Sequence, residues 1–342
     1  MLSDTVRIGA LVPLTRPGWT EAGQHLLAGL ELAVRDVNAA GGIGGRPIEL
    51  VVRDTAADPQ KAAAAVDELD RLGVAAVAGE YHSVVARAAA ARADAVGLPF
   101  LCSSAVLDAL TEKPTEWVAR LAPAQSRGWR IFADFLIGAG HRHIAVVTQP
   151  SVYWASGAAI LRDHLAPGGG TVVELAPADV CDGLAGSRAT ALLLLVGHPE
   201  PAVQIVQSVR RDQRLADILI GAPAGQPEFA EWARLLGPDG AGVPFLRYLP
   251  EWLTRLGARI EAELGGAPSF VAFEGYDTIA VLAEVLRSPG SSWSDVAVDG
   301  TRGQIRFSRV PGISLWQWAW APIQVVDRDP AAPDRFRVLH TG

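Results

Sequence analysis

Cysteine is nearly missing from this chain. Cys102 and Cys181 are the only two among 342 residues. No C-x-x-C occurs, so a structural zinc site has no ligand pattern to rest on. Both read as small apolar side chains. Long apolar runs are missing as well. The longest, Ala189 to Val196, suits a buried strand, whereas a membrane helix needs roughly 18 residues. The chain is therefore not expected to be membrane-embedded. No block of five or six basic residues appears, and the net charge is −7. That balance excludes a polybasic membrane patch and argues against a nucleic-acid partner.

Catalytic signatures are absent too. There is no G-x-S-x-G, H-E-x-x-H or G-x-x-x-x-G-K-[ST], and no nucleophile–base pair can be named. His141 and His143 form an H-x-H pair without carboxylates, a weak metal signal. No catalytic residue, metal or cofactor is expected. Met1 to Thr5 has neither a basic start nor an apolar segment, so it does not read as a secretory signal. Two locations stay open. One is periplasmic or lipid-anchored extracellular, if a signal was removed. The other is cytoplasmic, if Met1 is the native start.

What is present is alternation. Thr5–Leu11, Ile48–Arg53, Val74–Ala78 and Phe100–Cys102 read as strands. Between them, residues 21–39, 59–72 and 83–96 carry apolar side chains at helical spacing. The pattern restarts with strands at 144–148, 171–175, 191–196 and 218–220, and helices at 127–139, 154–164 and 200–212. Helices follow at 250–264 and 270–286, then short β segments around 303–307 and 323–326. Such alternation predicts parallel sheets covered by helices on both faces.

The stretch from Asn38 to Leu50 joins a helix to a strand through Gly41, Gly42, Gly44 and Gly45. It lies after a helix and before a strand, the wrong side for phosphate binding at a helix N-terminus. With Val6–Leu14 before it and Val51–Pro59 after it, it resembles the opening of the type I periplasmic solute-binding proteins. The leucine/isoleucine/valine-binding branch is the nearest. Pro268–Asp277 and the Gly303-Gln304-Ile305-Arg306-Phe307 strand resemble later family segments in the right order. The resemblance implies an α/β fold of two doubly wound parallel-sheet lobes joined by a three-crossing hinge. The crossings are expected near Arg120–Pro123, Val243–Leu246 and Ser308–Ser314. Lobe one would be residues 1–120 plus 246–308, and lobe two 121–245 plus 309–342. The two cysteines then fall in different lobes, which argues against a disulfide.

Ligands of open α/β sheets bind beyond the carboxyl ends of the strands. Ser83 opens a helix there as an N-cap candidate; in the family a serine at this place gives its hydroxyl and N–H to a ligand carboxylate. Tyr81 and His82 precede it. By the resemblance, Ser104, Ala105 and Val106 form a second contact segment, with Val106 in place of the usual threonine. Trp19 follows the first strand and could stack on a ligand. In lobe two, Tyr153 matches a tyrosine that closes on the ligand, and His198 falls near a second one. Each has a plainer reading as a cap, turn or packing residue. The turn Gly221–Gly225 lacks the acid with which amino-acid binders pair the α-ammonium. Glu228, Glu80 and Glu21 are the nearest alternatives.

The expected function is capture of a small molecule between the lobes by hinge closure, for an ABC-type permease. The ligand would be a carboxylate, amide or aromatic compound rather than a standard α-amino acid. The chain would act as a monomer or weak dimer. Rival readings are a cytoplasmic ligand sensor of the same fold and an enzyme on a doubly wound fold. Ser83→Ala and Tyr153→Ala are each expected to weaken binding while leaving the unliganded protein nearly as stable.

Overall fold

The computed structural model describes residues 5–265, 268–288, 290 and 292–342. The reading of Met1–Asp4 lies outside them. The chain divides into two compact units, one holding residues up to 124 with 248–322, the other 125–247 with 323–342. Unit 1 opens with β1 (Val6–Val12), α1 (Thr20–Ala39), β2 (Ile48–Asp54), α2 (Pro59–Arg71), β3 (Ala76–Gly79), α3 (Ser83–Val96), β4 (Phe100–Cys102) and β5 (Val118–Arg120). Unit 2 follows with α4 (Gln125–Gly138), β6 (His143–Thr148), α5 (Val152–Leu165), β7 (Thr171–Leu175), α6 (Val180–Ala185) and β8 (Ala191–Leu195). It continues through α7 (Ala202–Arg211), β9 (Leu219–Gly221), α8 (Ala230–Leu236) and β10 (Phe245–Arg247). The chain returns to unit 1 as α9 (Arg255–Leu264), α10 (Phe270–Arg287), β11 (Val298–Gly300), β12 (Gly303–Ile305), β13 (Phe307–Arg309) and β14 (Trp316–Trp318). It ends in unit 2 with β15 (Gln324–Asp329) and β16 (Ala332–Thr341).

The main sheet of unit 1 runs β13-β14-β5-β4-β3-β1-β2, parallel except for the β13–β14 pair. The four-stranded sheet of unit 2 runs β7-β6-β8-β9 and is parallel throughout. A separate antiparallel sheet, β10-β15-β16, completes unit 2. In both parallel sheets the strand order reverses beside the first strand, between β1 and β3 and between β6 and β8. That is the doubly wound pattern, and its switch point is where such sheets hold ligands.

Local chemistry explains the elements. Asp58 caps α2 by accepting from the Gln60 and Lys61 amides, with Pro59 at the first helical position. The glycine-rich connection is closed by Ile43 and Arg46, whose amides donate to each other's carbonyls. The Asn38 side chain clasps both backbone groups of Ile48 at 2.6 and 3.0 Å. Helices α1 and α10 pack through facing glycines. A Cβ on Gly29 would stand 1.9 Å from the Ala272 carbonyl oxygen, and one on Gly275 would stand 2.4 Å from that of Leu26. In unit 2, Leu192, Leu194, Val206, Trp232 and Phe245 share one buried cluster.

The third crossing lies later than the resemblance implies. Residues 309–322 stay with unit 1, and the chain crosses after Pro322 rather than within Ser308–Ser314. The reason is β14, which pairs in parallel with β5 and sets Gln317 opposite Arg120. The chain also passes from one unit to the other after Ala124 and after Arg247. Among the described residues no helix is long and apolar enough to cross a membrane.

Candidate functional site

Three loops of unit 1 leave the carboxyl ends of adjacent strands β1, β3 and β4. They carry Trp19, Glu80–Ser83 and Ser103–Leu107. Gly79 allows the first two to approach, because its φ is +117° and a Cβ there would meet the Leu11 carbonyl at 2.1 Å. Trp19, Tyr81 and His82 come together as an aromatic trio. Their ring centroids lie 5.6 Å apart for Trp19 and Tyr81, 6.2 Å for Trp19 and His82, and 5.4 Å for Tyr81 and His82. The Trp19 amide donates to His82 Nε2 at 3.1 Å. An accepting Nε2 requires the neutral ring with its proton on Nδ1. Burial acts the same way, pushing the His82 pKa down to about 4.

Glu80 is fully buried. Its Oε1 accepts from the Tyr81 and His82 amides at 2.8 and 2.9 Å, and its Oε2 from the Thr55 hydroxyl at 2.7 Å. Burial outweighs these bonds and pushes its pKa up to about 7. The unfolded chain would lose the proton near the ordinary glutamate value of 4.5. The stability tied to the folded, protonated group is therefore complete below 4.5 and lost as pH rises toward 7. Glu80→Gln does not titrate, so its melting temperature should gain on the wild type by several degrees across that window and no further above it. Glu274, also pushed up to about 7 by burial, titrates in both proteins and cancels. Parallel melting curves from pH 4.5 to 8 would refute the assignment.

Ser83 is the first residue of α3, not its cap. The cap position is His82, and no side chain caps the helix. The first-turn N–H groups are thus left without helical partners. Ser83 Oγ instead accepts from the Val106 and Leu107 amides, each at 3.2 Å. With both acceptor sites engaged, its hydroxyl proton is available only for donation. The amides of Ser103 and Ala105 are spent on the Gly79 and Glu80 carbonyls. Ser104 is buried with its hydroxyl beside the Glu274 carboxyl. This occupancy corrects the expectation that Ser83→Ala leaves the unliganded protein nearly intact, since the substitution strands two buried amides.

In unit 2, Tyr153 sits on the first turn of α5, capped by Ser151. Its ring stands 5.9 Å from Trp129 and 4.6 Å from Trp154. Trp154 is buried and packs on Tyr153. His198 is buried after β8, with its ring 5.9 Å from Trp232 and its Nε2 3.6 Å from Glu231 Oε2. Tyr153 and His198 therefore follow the two strands of unit 2's switch point, as Trp19 and Ser83 do in unit 1. Glu228 is buried and held by Arg247 at 3.0 and 3.2 Å. His141 and His143 bond to Thr190 and Thr171, and no group of three metal-ligating side chains occurs among the described residues.

Two buried polar groups beside the site escape periodicity arguments. Arg120 donates from Nε to Gln317 Oε1 at 2.7 Å and from Nη1 to the Val106 and Leu107 carbonyls at 2.9 and 2.6 Å. Arg302 bonds Glu274 at 3.2 Å and Asp277 at 3.0 Å with all three side chains fully buried. A lone charge in the apolar stretch Val118–Ala122, and acids three apart on the apolar helix α10, are the available sequence signals.

Comparison with known proteins agrees with this architecture. The sequence model of the periplasmic binding protein family matches residues 5–311. The Leu/Ile/Val-binding protein homolog 8 of Brucella abortus is 30% identical over 177 residues, 49% of this chain and 44% of the relative. The chain thus matches less than half the length of that curated relative. A leucine-binding protein from Thermotoga maritima superposes with a TM-score of 0.83 at 18% identity, covering 98% of this chain and 97% of its own. A solute-binding protein of an ABC transporter from R. palustris, in complex with benzoate, superposes with a TM-score of 0.79 at 19% identity, covering 98% and 96%. The chain belongs to the periplasmic binding protein family, with the type I fold of its branched-chain amino acid branch.

Proposed function

We propose that this chain is a solute-binding protein for small carboxylates that lack an α-ammonium group, aromatic acids foremost, and that it serves an ABC-type permease outside the cytoplasm. One observation carries the reading. At the switch point of unit 1 an uncapped helix start lies beside a serine hydroxyl that can only donate. Such a place suits an anion. Trp19, Tyr81 and neutral His82 supply apolar faces for a ring. The acids nearest the expected ammonium place are engaged elsewhere: Gly221–Gly225 has none, Glu228 is committed to Arg247, and Glu80 is enclosed by its own hydrogen bonds. A buried ammonium without a partner costs several kcal/mol. The R. palustris neighbour, solved with benzoate, is consistent with this class.

The test is a thermal shift followed by calorimetry with benzoate, benzamide and leucine. Benzoate should raise the melting temperature with concentration and bind at least about 100-fold more tightly than leucine, the ratio expected for an unpaired buried ammonium. Preferential binding of leucine would overturn the proposal.

A further inference from the structure

Arg120 lies behind the loop that faces Ser83. Its side chain is wholly buried, and Nη2 has no hydrogen-bond partner. Its polar contacts are Gln317 and the carbonyls of Val106 and Leu107. Among the described residues no carboxylate forms an ion pair with it; the Asp108 carboxyl, the Cys102 thiol and the Tyr248 phenol act on it only through space. A guanidinium kept buried without a counter-ion is costly. It persists where local dipoles, or a bound anion, offset it.

The geometry supplies a route to such an anion. The Val106 carbonyl and the Leu107 amide belong to one peptide unit. That unit accepts from Arg120 Nη1 at 2.9 Å on one side and donates to Ser83 Oγ at 3.2 Å on the other. Charge at Arg120 polarises the peptide, the peptide polarises the hydroxyl, and the hydroxyl becomes a stronger donor. We infer that Arg120 is a positioning residue that sets the preference of this site for a carboxylate over its neutral counterpart, acting through the Val106–Leu107 peptide and Ser83. The inference rests on the proposed carboxylate site and goes beyond it by naming the residue that confers its charge selectivity.

The test compares benzoate with benzamide, nearly the same shape without the charge, in the full chain. Arg120→Gln should lower the benzoate-to-benzamide affinity ratio by about 10-fold while leaving benzamide binding within about twofold. Arg120→Lys, which keeps the charge, should retain most of the ratio. Gln317→Leu loosens the guanidinium without removing it and should reduce the ratio by about threefold; it carries the test if Arg120→Gln does not fold. An equal loss for both ligands would show a purely structural residue and overturn the inference. So would an unchanged ratio in Arg120→Gln, or in Gln317→Leu where that variant carries the test. A wild-type protein that binds benzamide as well as benzoate sinks the carboxylate proposal itself, and this inference with it.

Discussion

Arg302→Leu is expected to destabilise unit 1 by about 3–5 kcal/mol, the usual cost of stripping one partner from a buried ion cluster. Arg302 donates from Nη1 to Glu274 and from Nε to Asp277, and adds a bond to the Tyr248 carbonyl at 3.3 Å. Its guanidinium carbon lies 5.1 Å from the Trp318 ring centroid. Without it two carboxyls stay enclosed. Asp277 keeps the Thr301 amide at 2.7 Å, while Glu274 keeps no cation. Burial already pushes Glu274 up to about 7 with Arg302 in place, and pushes Asp277 up as well. Removing the cation raises both further, so each acid can escape part of the penalty by taking up a proton.

The sign of the pH dependence follows from that escape. At pH 5 the enclosed acids are protonated in the variant and its deficit shrinks; at pH 8 the folded state must either ionise them unpaired or hold the protons against solution. Urea midpoints at the two pH values check this. The gap between wild type and Arg302→Leu should be wider at pH 8. A loss below about 1 kcal/mol at both would show that the apolar packing of this region, Trp318 included, holds it and the ions add little.

The same cluster shows where reading the chain alone stops. Helix α3 and strand β4 occupy the residues that periodicity assigns to them, because both are bounded by local signals: the apolar run before each ends in a Gly or Ser turn. The aromatic trio is also local in origin, since Trp19, Tyr81 and His82 follow strands that the alternation makes neighbours. Strand β14 is different. Three residues, Trp316–Trp318, are too few to show a period, and what fixes them is Gln317 meeting Arg120 across 197 positions of sequence. That pairing keeps the residues up to Pro322 with unit 1. Arg302 is likewise paired with acids more than twenty residues away, and nothing near it in sequence announces burial. Ser83 lies between these cases: its place at a helix start was legible, but the two amides it accepts from belong to another loop.

Those two amides make Ser83→Ala the sharpest test of the site. The variant should bind benzoate about 10- to 100-fold more weakly, the range for losing one donor to a charged acceptor. It should also lose about 1–3 kcal/mol of stability, because the Val106 and Leu107 amides are buried and no longer have an acceptor. The effects share one atom yet can be separated. Binding measured by calorimetry well below the variant's melting temperature reports the folded molecules only, so a weakened affinity there cannot be an unfolding artefact. Tyr153→Ala offers the converse case. Its ring is packed against Trp129 and Trp154 in unit 2, so that substitution opens a gap in an aromatic cluster without touching the Ser83 amides. If Ser83→Ala loses stability but binds benzoate as the wild type does, the hydroxyl is purely a clasp between two loops and the carboxylate rests elsewhere on the molecule.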